Sequence, residues 1–152
     1  MAVNVVAAMD GIEFFKPRMV ARGFGILAGV TSVAAARGLP LSGPYSASKA
    51  ALFAYLESLR SDVYPYGVSV VNIAPGFIDT PMTKGNPFKM PFLARSDQAA
   101  ELFADDLLAG HFISIVPRIW RPIFWLLRML PDFVFRTAVL WLTGTHRKKG
   151  EQ

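Results

Sequence analysis

The chain contains no cysteine and only two histidines, His111 and His146. Without thiols it can form neither disulfides nor thiolate metal sites, and this composition is compatible with a reducing compartment. Each histidine stands alone in the sequence, without the second and third ligands that a metal site needs. The sequence therefore predicts no metal site.

The chain also lacks a long uninterrupted apolar run. Arginines divide every apolar stretch near the C-terminus well short of the roughly 20 residues that a membrane-spanning helix needs. Asp10 and Glu13 interrupt the first apolar stretch, and Met1 is not followed by the basic-then-apolar order of a secretory signal. A content of 53% hydrophobic and 18% charged residues excludes the disordered class. A folded domain is predicted, with the cytoplasm as its default location.

Two side chains with complementary chemistry, Tyr45 and Lys49, open an alanine-rich helix four residues apart. This spacing places both on one helical face. A free phenol has a pKa of about 10, too high for easy proton exchange at neutral pH, whereas a lysine charge held nearby favours the phenolate. Tyr45 is therefore a candidate general acid/base, although the same spacing also occurs on ordinary solvated helices.

Three further segments accompany this pair in a specific order. Asn4 comes first, and Ser32 ends an apolar run thirteen residues before Tyr45. After the helix, a buried-type strand at 68–74 leads into a Pro-Gly-x-x-x-Thr turn that begins at Pro75. The order and intervals of these segments resemble the short-chain dehydrogenase/reductase family, whose catalytic tetrad is Asn, Ser, Tyr and Lys.

The resemblance implies hydride transfer between a nicotinamide cofactor, NAD or NADP, and an alcohol/carbonyl pair. Tyr45 would exchange a proton with the substrate oxygen, and Ser32 would hold that oxygen. Lys49 would favour the Tyr45 phenolate and hydrogen-bond the nicotinamide ribose, so that both residues also lie against the cofactor. Asn4 would anchor a water that links Lys49 to bulk solvent. The carboxamide end of the cofactor would be held by Pro75, Gly76, Ile78 and Thr80.

Each of these residues also has an ordinary structural interpretation. Ser32 could be a turn residue at a strand end, Asn4 a helix cap, and Tyr45 a buried aromatic with its hydroxyl satisfied. The functional interpretation depends on all the segments occurring together, in this order, within one short chain.

The resemblance covers only part of the family's domain. The family binds the dinucleotide pyrophosphate at a glycine-rich turn between its first strand and first helix, and no such turn precedes Asn4. The family's Asn-Asn-Ala-Gly segment is missing as well. The glycines at 23, 25 and 29 lead into an apolar strand instead of opening a helix, so we interpret them as a turn. The sequence thus resembles the C-terminal portion of the domain, through a real truncation or a start assigned to an internal methionine.

The resemblance extends to about Pro117 and implies an α/β fold, part of a doubly wound Rossmann-type parallel sheet. Residues 1–117 would form this partial domain. Apolar periodicity and β-branched content predict helices at 2–22, 44–64 and 96–109 and strands at 25–32, 68–74 and 111–116.

Two details of this arrangement have consequences for function. Residues 80–96, rich in Pro, Lys and Gly, would be a lid over the substrate or a plain surface loop, and Ser96 would cap the helix that follows. The strand at 25–32 would have one edge unpaired, and an open apolar edge invites pairing with another chain. Homo-oligomerisation is therefore expected.

The charge distribution makes residues 118–152 a second unit, a basic apolar helical tail. Residues 1–117 carry nine basic and nine acidic side chains, whereas residues 118–152 carry seven basic and two acidic ones together with all three tryptophans. Such a segment is typical of peripheral contact with a membrane surface. The alternative, which we favour, is that the tail packs over the substrate cleft or a partner subunit. Nucleic-acid binding is not predicted, because the arginines are embedded among large apolar groups.

Three functional hypotheses follow. The first is an NAD- or NADP-dependent oxidoreductase that acts on a hydrophobic alcohol or ketone, as the apolar residues of the lid and tail suggest. The second is a catalytically silent polypeptide, because the cofactor would lose most of its anchoring contacts without the pyrophosphate turn. The third is a membrane-surface or subunit-interaction module whose working part is the tail.

Overall fold

A computed structural model describes residues 1–83 and 90–142 of the chain. Residues 84–89 of the predicted lid, His146 and the rest of the tail beyond residue 142 lie outside these ranges. The helices are α1 (Ala7–Arg22), α2 (Gly43–Val63), α3 (Ser96–Leu108), α4 (Trp120–Met129) and α5 (Asp132–Leu142). The strands are β1 (Gly25–Val30), β2 (Val68–Pro75), β3 (Ile78–Asp79), β4 (Ala94–Arg95) and β5 (Ile113–Val116). A π-helical turn spans Ala2–Val6, and 3₁₀ turns span Val33–Ala35 and Tyr64–Tyr66.

The central sheet has three parallel strands in the order β1-β2-β5. β2 lies in the middle because most of its residues are apolar and half of them are β-branched, the composition of a strand that is covered on both sides. Helix α2 connects β1 to β2, as parallel pairing requires. This arrangement confirms the predicted α/β fold with a partial Rossmann-type sheet.

Two apolar clusters hold helices against one face of this sheet. In the first, the predicted stripe of α2 is buried, with Leu52, Leu56 and Leu59 at most 1% exposed, and it packs with Ile12 of α1. In the second, Phe53 of α2 joins a cluster that contains Phe124. Neighbouring residues of α2 thus enter different clusters. The helix is held by both, and its first turn is positioned firmly.

The tail region forms two helices that meet at Leu130 and Pro131. Pro122 lies in the first turn of α4, where a helix needs no backbone donor, so only Pro131 separates the helices. α4 packs on the sheet through Phe124, which is fully buried. No helix within the described ranges is both long and apolar enough to cross a lipid bilayer. The division of the chain at residues 117 and 118 stays a prediction.

The structure differs from the sequence-based expectations at several element boundaries. The first predicted helix begins with a π-helical turn, and its regular α-helical part starts at Ala7. Ser96 is not an N-cap, because Arg95 occupies that position and Ser96 is already helical. The carboxylate of Asp97 serves the helix start instead, accepting from the Gln98 N–H at 2.9 Å. The last strand begins two residues later than predicted.

A second, two-stranded parallel sheet was not predicted. β3 pairs with β4, with Ile78 opposite Ala94 and Asp79 opposite Arg95. This pairing joins the two ends of the segment that we predicted as a lid or surface loop. The turn after Pro75 is therefore attached to the start of α3.

Candidate active site

A cleft of about 580 Å³ lies where β1 and β2 end. The carboxyl ends of parallel strands meet at one edge of a sheet, and α/β proteins commonly bind ligands there. Three of the four predicted catalytic residues and all four residues of the predicted carboxamide-binding turn line this cleft. The lining consists of Val30, Thr31, Ser32, Tyr45, Lys49, Pro75, Gly76, Ile78, Thr80, Pro81, Met82 and Thr83.

The first turn of α2 brings Tyr45 and Lys49 to the same side of the cleft. The Lys49 Nζ atom lies 5.8 Å from the centroid of the Tyr45 ring and donates a hydrogen bond of 2.9 Å to the Val30 carbonyl at the end of β1. Burial lowers the pKa of Lys49. Tyr45 is 45% exposed, which is inconsistent with the alternative of a buried aromatic residue.

Ser32 follows the carboxyl end of β1 and combines two of the predicted interpretations. Its Oγ accepts from the Ala34 N–H at 3.1 Å, which caps the short 3₁₀ turn after β1. The same hydroxyl lies 3.4 Å from the Pro75 carbonyl, to which it donates. Ser32 is thus a turn residue, as the structural alternative proposed, and it also faces the cleft with its position set by two contacts.

The turn after Pro75 forms a wall of the cleft and is held from two sides. The Gly76 N–H donates to the Val116 carbonyl at 2.8 Å. The indole of Trp120 packs directly on Gly76, since a Cβ atom at this position would lie 2.5 Å from its Cδ1. The Thr83 hydroxyl accepts from the Thr80 N–H at 2.9 Å. Any side chain at position 76 would therefore move either the turn or Trp120.

Asn4 does not line the cleft. It lines a separate groove of about 490 Å³ that runs along α1 and β1, and Lys49 lines this groove as well. The Asn4 Nδ2 donates to the Ser48 Oγ at 3.3 Å, and the Ser48 hydroxyl donates to the Tyr45 carbonyl at 2.7 Å. Asn4 lies within the π-helical turn and is not its N-cap, so the helix-cap interpretation is wrong.

Several residues that line or support the cleft were not predicted from the sequence. Thr31 is 2% exposed, and its hydroxyl donates to the Asn72 Oδ1 at 2.6 Å. Asn72 is itself fully buried in the middle strand. The sequence indicated such a pair, because the amide of an Asn in a buried strand such as β2 rarely lacks a hydrogen-bond partner. Thr31, next to the predicted Ser32, was the nearest candidate for the partner of Asn72.

A buried charged group, the carboxylate of Asp106, lies on α3. It accepts hydrogen bonds from the Ser114 hydroxyl, from both terminal nitrogens of Arg118, the longer at 2.9 Å, and from His111 at 3.3 Å. Burial raises the pKa of Asp106, but these hydrogen bonds outweigh it and hold the pKa well below its usual range. Across residues 1–83 and 90–142, no three His, Asp or Glu side chains are grouped as a metal site would require.

Comparisons with known proteins agree with the fold. Residues 1–89 match the family model described as short chain dehydrogenase. An uncharacterized oxidoreductase from Myxococcus xanthus is 43% identical over 107 residues, 70% of this chain and 42% of the relative. The ketoacyl reductase HetN from Nostoc sp. is 33% identical over 92 residues, 60% of this chain and 32% of the relative.

Solved structures are also similar over most of the chain. The short chain dehydrogenase from Burkholderia cenocepacia, crystallised in complex with NADP, has a TM-score of 0.76 and 25% identity. The match covers 91% of this chain and 56% of that protein. The chain thus spans about half or less of the length of the proteins that it matches.

Proposed function

The chain belongs to the short chain dehydrogenase family, and from this premise we propose that it carries the catalytic half of an NAD- or NADP-dependent oxidoreductase that interconverts an alcohol and a carbonyl group. The observation that supports this function best is the cleft, which Ser32, Tyr45 and Lys49 line together with the turn after Pro75. The solved structures to which the chain is similar support a nicotinamide dinucleotide as cofactor but do not decide between NAD and NADP.

The chemical groups in the cleft fit the nicotinamide end of such a cofactor. A volume of about 580 Å³ is within the usual range for a small-molecule site. Pro75 and Ile78 offer apolar surface for a flat ring, and Lys49 and Thr80 offer polar groups for a ribose and a carboxamide. When bound, a nicotinamide supplies or accepts the hydride.

The chain's own residues would then handle the proton and orient the substrate. The hydroxyl of Ser32 already has a defined position, which suits it to hold the substrate oxygen. The phenol of Tyr45 is accessible in the same cleft and would give or take the proton on that oxygen. Lys49 would keep a positive charge beside that phenol, with one donor already used on the Val30 carbonyl.

Asn4 could take part in a proton relay only through a water in the groove along α1 and β1, because it does not line the cleft. The groove along α1 and β1 is lined by Asn4 and Lys49 alike, so a water in it could contact both side chains. Asn4 would then act on Lys49 and not on the substrate. This assignment predicts that substitutions at Asn4 change the pH profile of turnover more than the affinity for the substrate.

We assign the substrate to the hydrophobic alcohols and ketones. Ile78, Pro81 and Met82 give the cleft an apolar wall, and none of the described residues that line it is acidic. The relative from Nostoc is named as a ketoacyl reductase, which places one similar protein in that chemical class. A ketone with an alkyl chain is therefore the first substrate to test.

The test compares Tyr45→Phe with Tyr64→Phe. The full chain is supplied with NADPH or NADH and a panel of alkyl ketones, and turnover is followed by the nicotinamide absorbance. Loss of a general acid should lower kcat by about 10²–10⁴-fold in Tyr45→Phe. Tyr64 is 78% exposed at the far end of α2, so Tyr64→Phe should behave like the wild type.

Two outcomes would contradict the proposal. Equal turnover in Tyr45→Phe and the wild type would refute the catalytic assignment. A folded wild-type chain that reduces no ketone would favour the second hypothesis, a polypeptide that is silent by itself.

A further inference from the structure

Helix α4 has two apolar faces, and only one of them is used by the fold. Phe124 is fully buried between the sheet and α2. On the opposite side, Trp125, Leu126 and Met129 are 45%, 58% and 80% exposed. Residues at this spacing share one helical face. The exposed side of α4 is therefore as apolar as the side that packs into the protein.

Helix α5 also exposes an apolar face. Phe133, Leu140 and Trp141 are 65%, 41% and 73% exposed, again at the spacing of one helical face. Phe133 and Trp141 also line an open, largely apolar groove of about 590 Å³ on this helix. We call the exposed residues of the two helices, 125, 126, 129, 133, 140 and 141, the tail surface. Single exposed apolar residues are normal, but several on one helical face, as on each of these two helices, mark an interaction site.

The charges beside the tail surface are positive. Between residues 118 and 142 the chain carries four arginines and one acidic residue. The one acidic residue, Asp132, pairs with Arg37 at 3.2 Å. Arg121 lies at the edge of the exposed stripe of α4, and Arg136 is on the exposed side of α5. The partner that complements this surface is apolar in the middle and negatively charged around it.

A further strand added to the central sheet would leave the tail surface uncovered. α4 packs near β5, at one end of the strand order, whereas β1 is at the other end. Within the described ranges, β1 pairs only with β2, so a further strand would add to the outer edge of β1. Such pairing would extend the sheet away from α4.

We propose that the tail surface docks on an anionic phospholipid membrane, with α4 and α5 lying in the plane of the interface. Trp125 and Trp141 suit this position, because an indole has an apolar body and a polar N–H and collects at the membrane interface. Arg121 and Arg136 would contact lipid headgroups while the apolar side chains enter the boundary of the acyl region. A second copy of the chain is the poorer partner, because a twofold axis would bring two surfaces of the same positive charge together.

The first test is cosedimentation of the full chain with vesicles of stated composition. One set contains phosphatidylcholine alone, and the other contains phosphatidylcholine and phosphatidylserine in equal parts. We expect the chain to pellet with the anionic vesicles and to be released by added salt. Arg121→Gln with Arg136→Gln should weaken this binding by about thirty-fold, since one arginine near an anionic surface contributes about a factor of five.

The second test replaces apolar residues of the tail surface. Trp125→Ser with Met129→Ser should weaken binding to the anionic vesicles by about ten-fold or more, because less apolar area leaves water. Leu108→Ser is the matched control, since Leu108 is 78% exposed on α3 and lies outside the tail surface. It should bind vesicles like the wild type. The variants change exposed residues, and circular dichroism checks that they are folded.

A measurement on the wild type makes the test independent of the variants. Brominated phosphatidylcholine, mixed with phosphatidylserine, should quench the tryptophan fluorescence if the indoles enter the acyl boundary. The proposal is overturned by absence of both pelleting and quenching, or by equal loss of binding in Leu108→Ser. It is also overturned if Trp125→Ser with Met129→Ser abolishes self-association in analytical ultracentrifugation but leaves vesicle binding unchanged. That result would assign the surface to a second copy.

Discussion

Replacing Asp106 by asparagine should destabilise the chain more than any other substitution of a single acidic residue. The carboxylate is 4% exposed and receives hydrogen bonds from Ser114, His111 and both terminal nitrogens of Arg118. These contacts join α3 to β5 and to the segment that enters α4. Asparagine has nearly the same shape, but it has one acceptor oxygen, and its amide N–H₂ would face the Arg118 donors.

The expected cost follows from the geometry of this ion pair. Removing one partner of a buried pair costs about 3–5 kcal/mol, because the other charge is left without compensation. The side chain of Arg118 is 38% exposed, so water would compensate part of its charge. We therefore expect a loss near the lower end, about 3 kcal/mol. With a urea m-value of about 2 kcal/mol/M, the unfolding midpoint should fall by about 1.5 M.

Urea unfolding followed by circular dichroism measures this loss, with Asp105→Asn as the control. Asp105 is the neighbouring residue, is exposed, and makes the same change in net charge. Its midpoint should shift by less than about 0.3 M, since surface substitutions usually stay within about 0.5 kcal/mol. If both variants shifted equally, the stabilising role of the Asp106 cluster would be refuted.

The pH dependence of the chain's stability tests the role of Asp106 in a second way. The pKa of Asp106 is lower in the folded chain than the value of about 3.9 expected after unfolding. Its contribution to stability is therefore complete above about pH 5 and is lost as the pH falls through the lowered folded-state pKa. The wild type should lose stability on acidification below pH 5, and the curve of Asp106→Asn should be flatter over the same range.

Two further predictions concern the turn after Pro75 and the tail. Gly76→Ala should destabilise the chain by about 1–3 kcal/mol, because its Cβ would overlap Trp120, and Trp120→Leu in the same chain should recover part of the loss in urea unfolding. Additive effects of the two substitutions would refute this contact. Arg37→Gln should release the junction of α4 and α5, since Arg37 donates to the Leu130 carbonyl. Faster proteolysis at this junction would show it, and unchanged cleavage would contradict it.

Periodicity and composition predicted the elements with strong local signals. The helix predicted from the apolar stripe of α2 and the strand predicted from the β-branched run of β2 were confirmed. Burial on one helical face, or on both faces of a strand, leaves a regular pattern of apolar residues in the sequence. The glycines at 23 and 25 were also interpreted correctly. Gly23 ends α1 in the left-handed conformation, with φ of 76°, and the chain turns directly into β1.

Features that depend on long-range contacts could not be predicted. β3 and β4 have two residues each, too few for any period to show, and they meet only because the turn after Pro75 and the start of α3 are neighbours in space. The Asn4 to Ser48 contact joins residues 44 apart. Asp106 had a signal that was overlooked, since an acidic residue on the buried face of a helix requires a partner. The partner, Arg118, lies beyond the next strand.

Two glycines at the amino ends of the strands set the dimensions of the cleft at the other end. Gly67 has a φ of 70°, and a Cβ there would lie 2.4 Å from the Gly23 carbonyl oxygen, so the turns before β1 and β2 rest on each other. This contact precedes the register of Gly25 opposite Val68, and the same register places Ser32 within reach of the Pro75 carbonyl. One residue inserted beside Gly67 would move the whole of β2 by about 3.3 Å. The cleft would lose its geometry through a change made at the far end of the sheet.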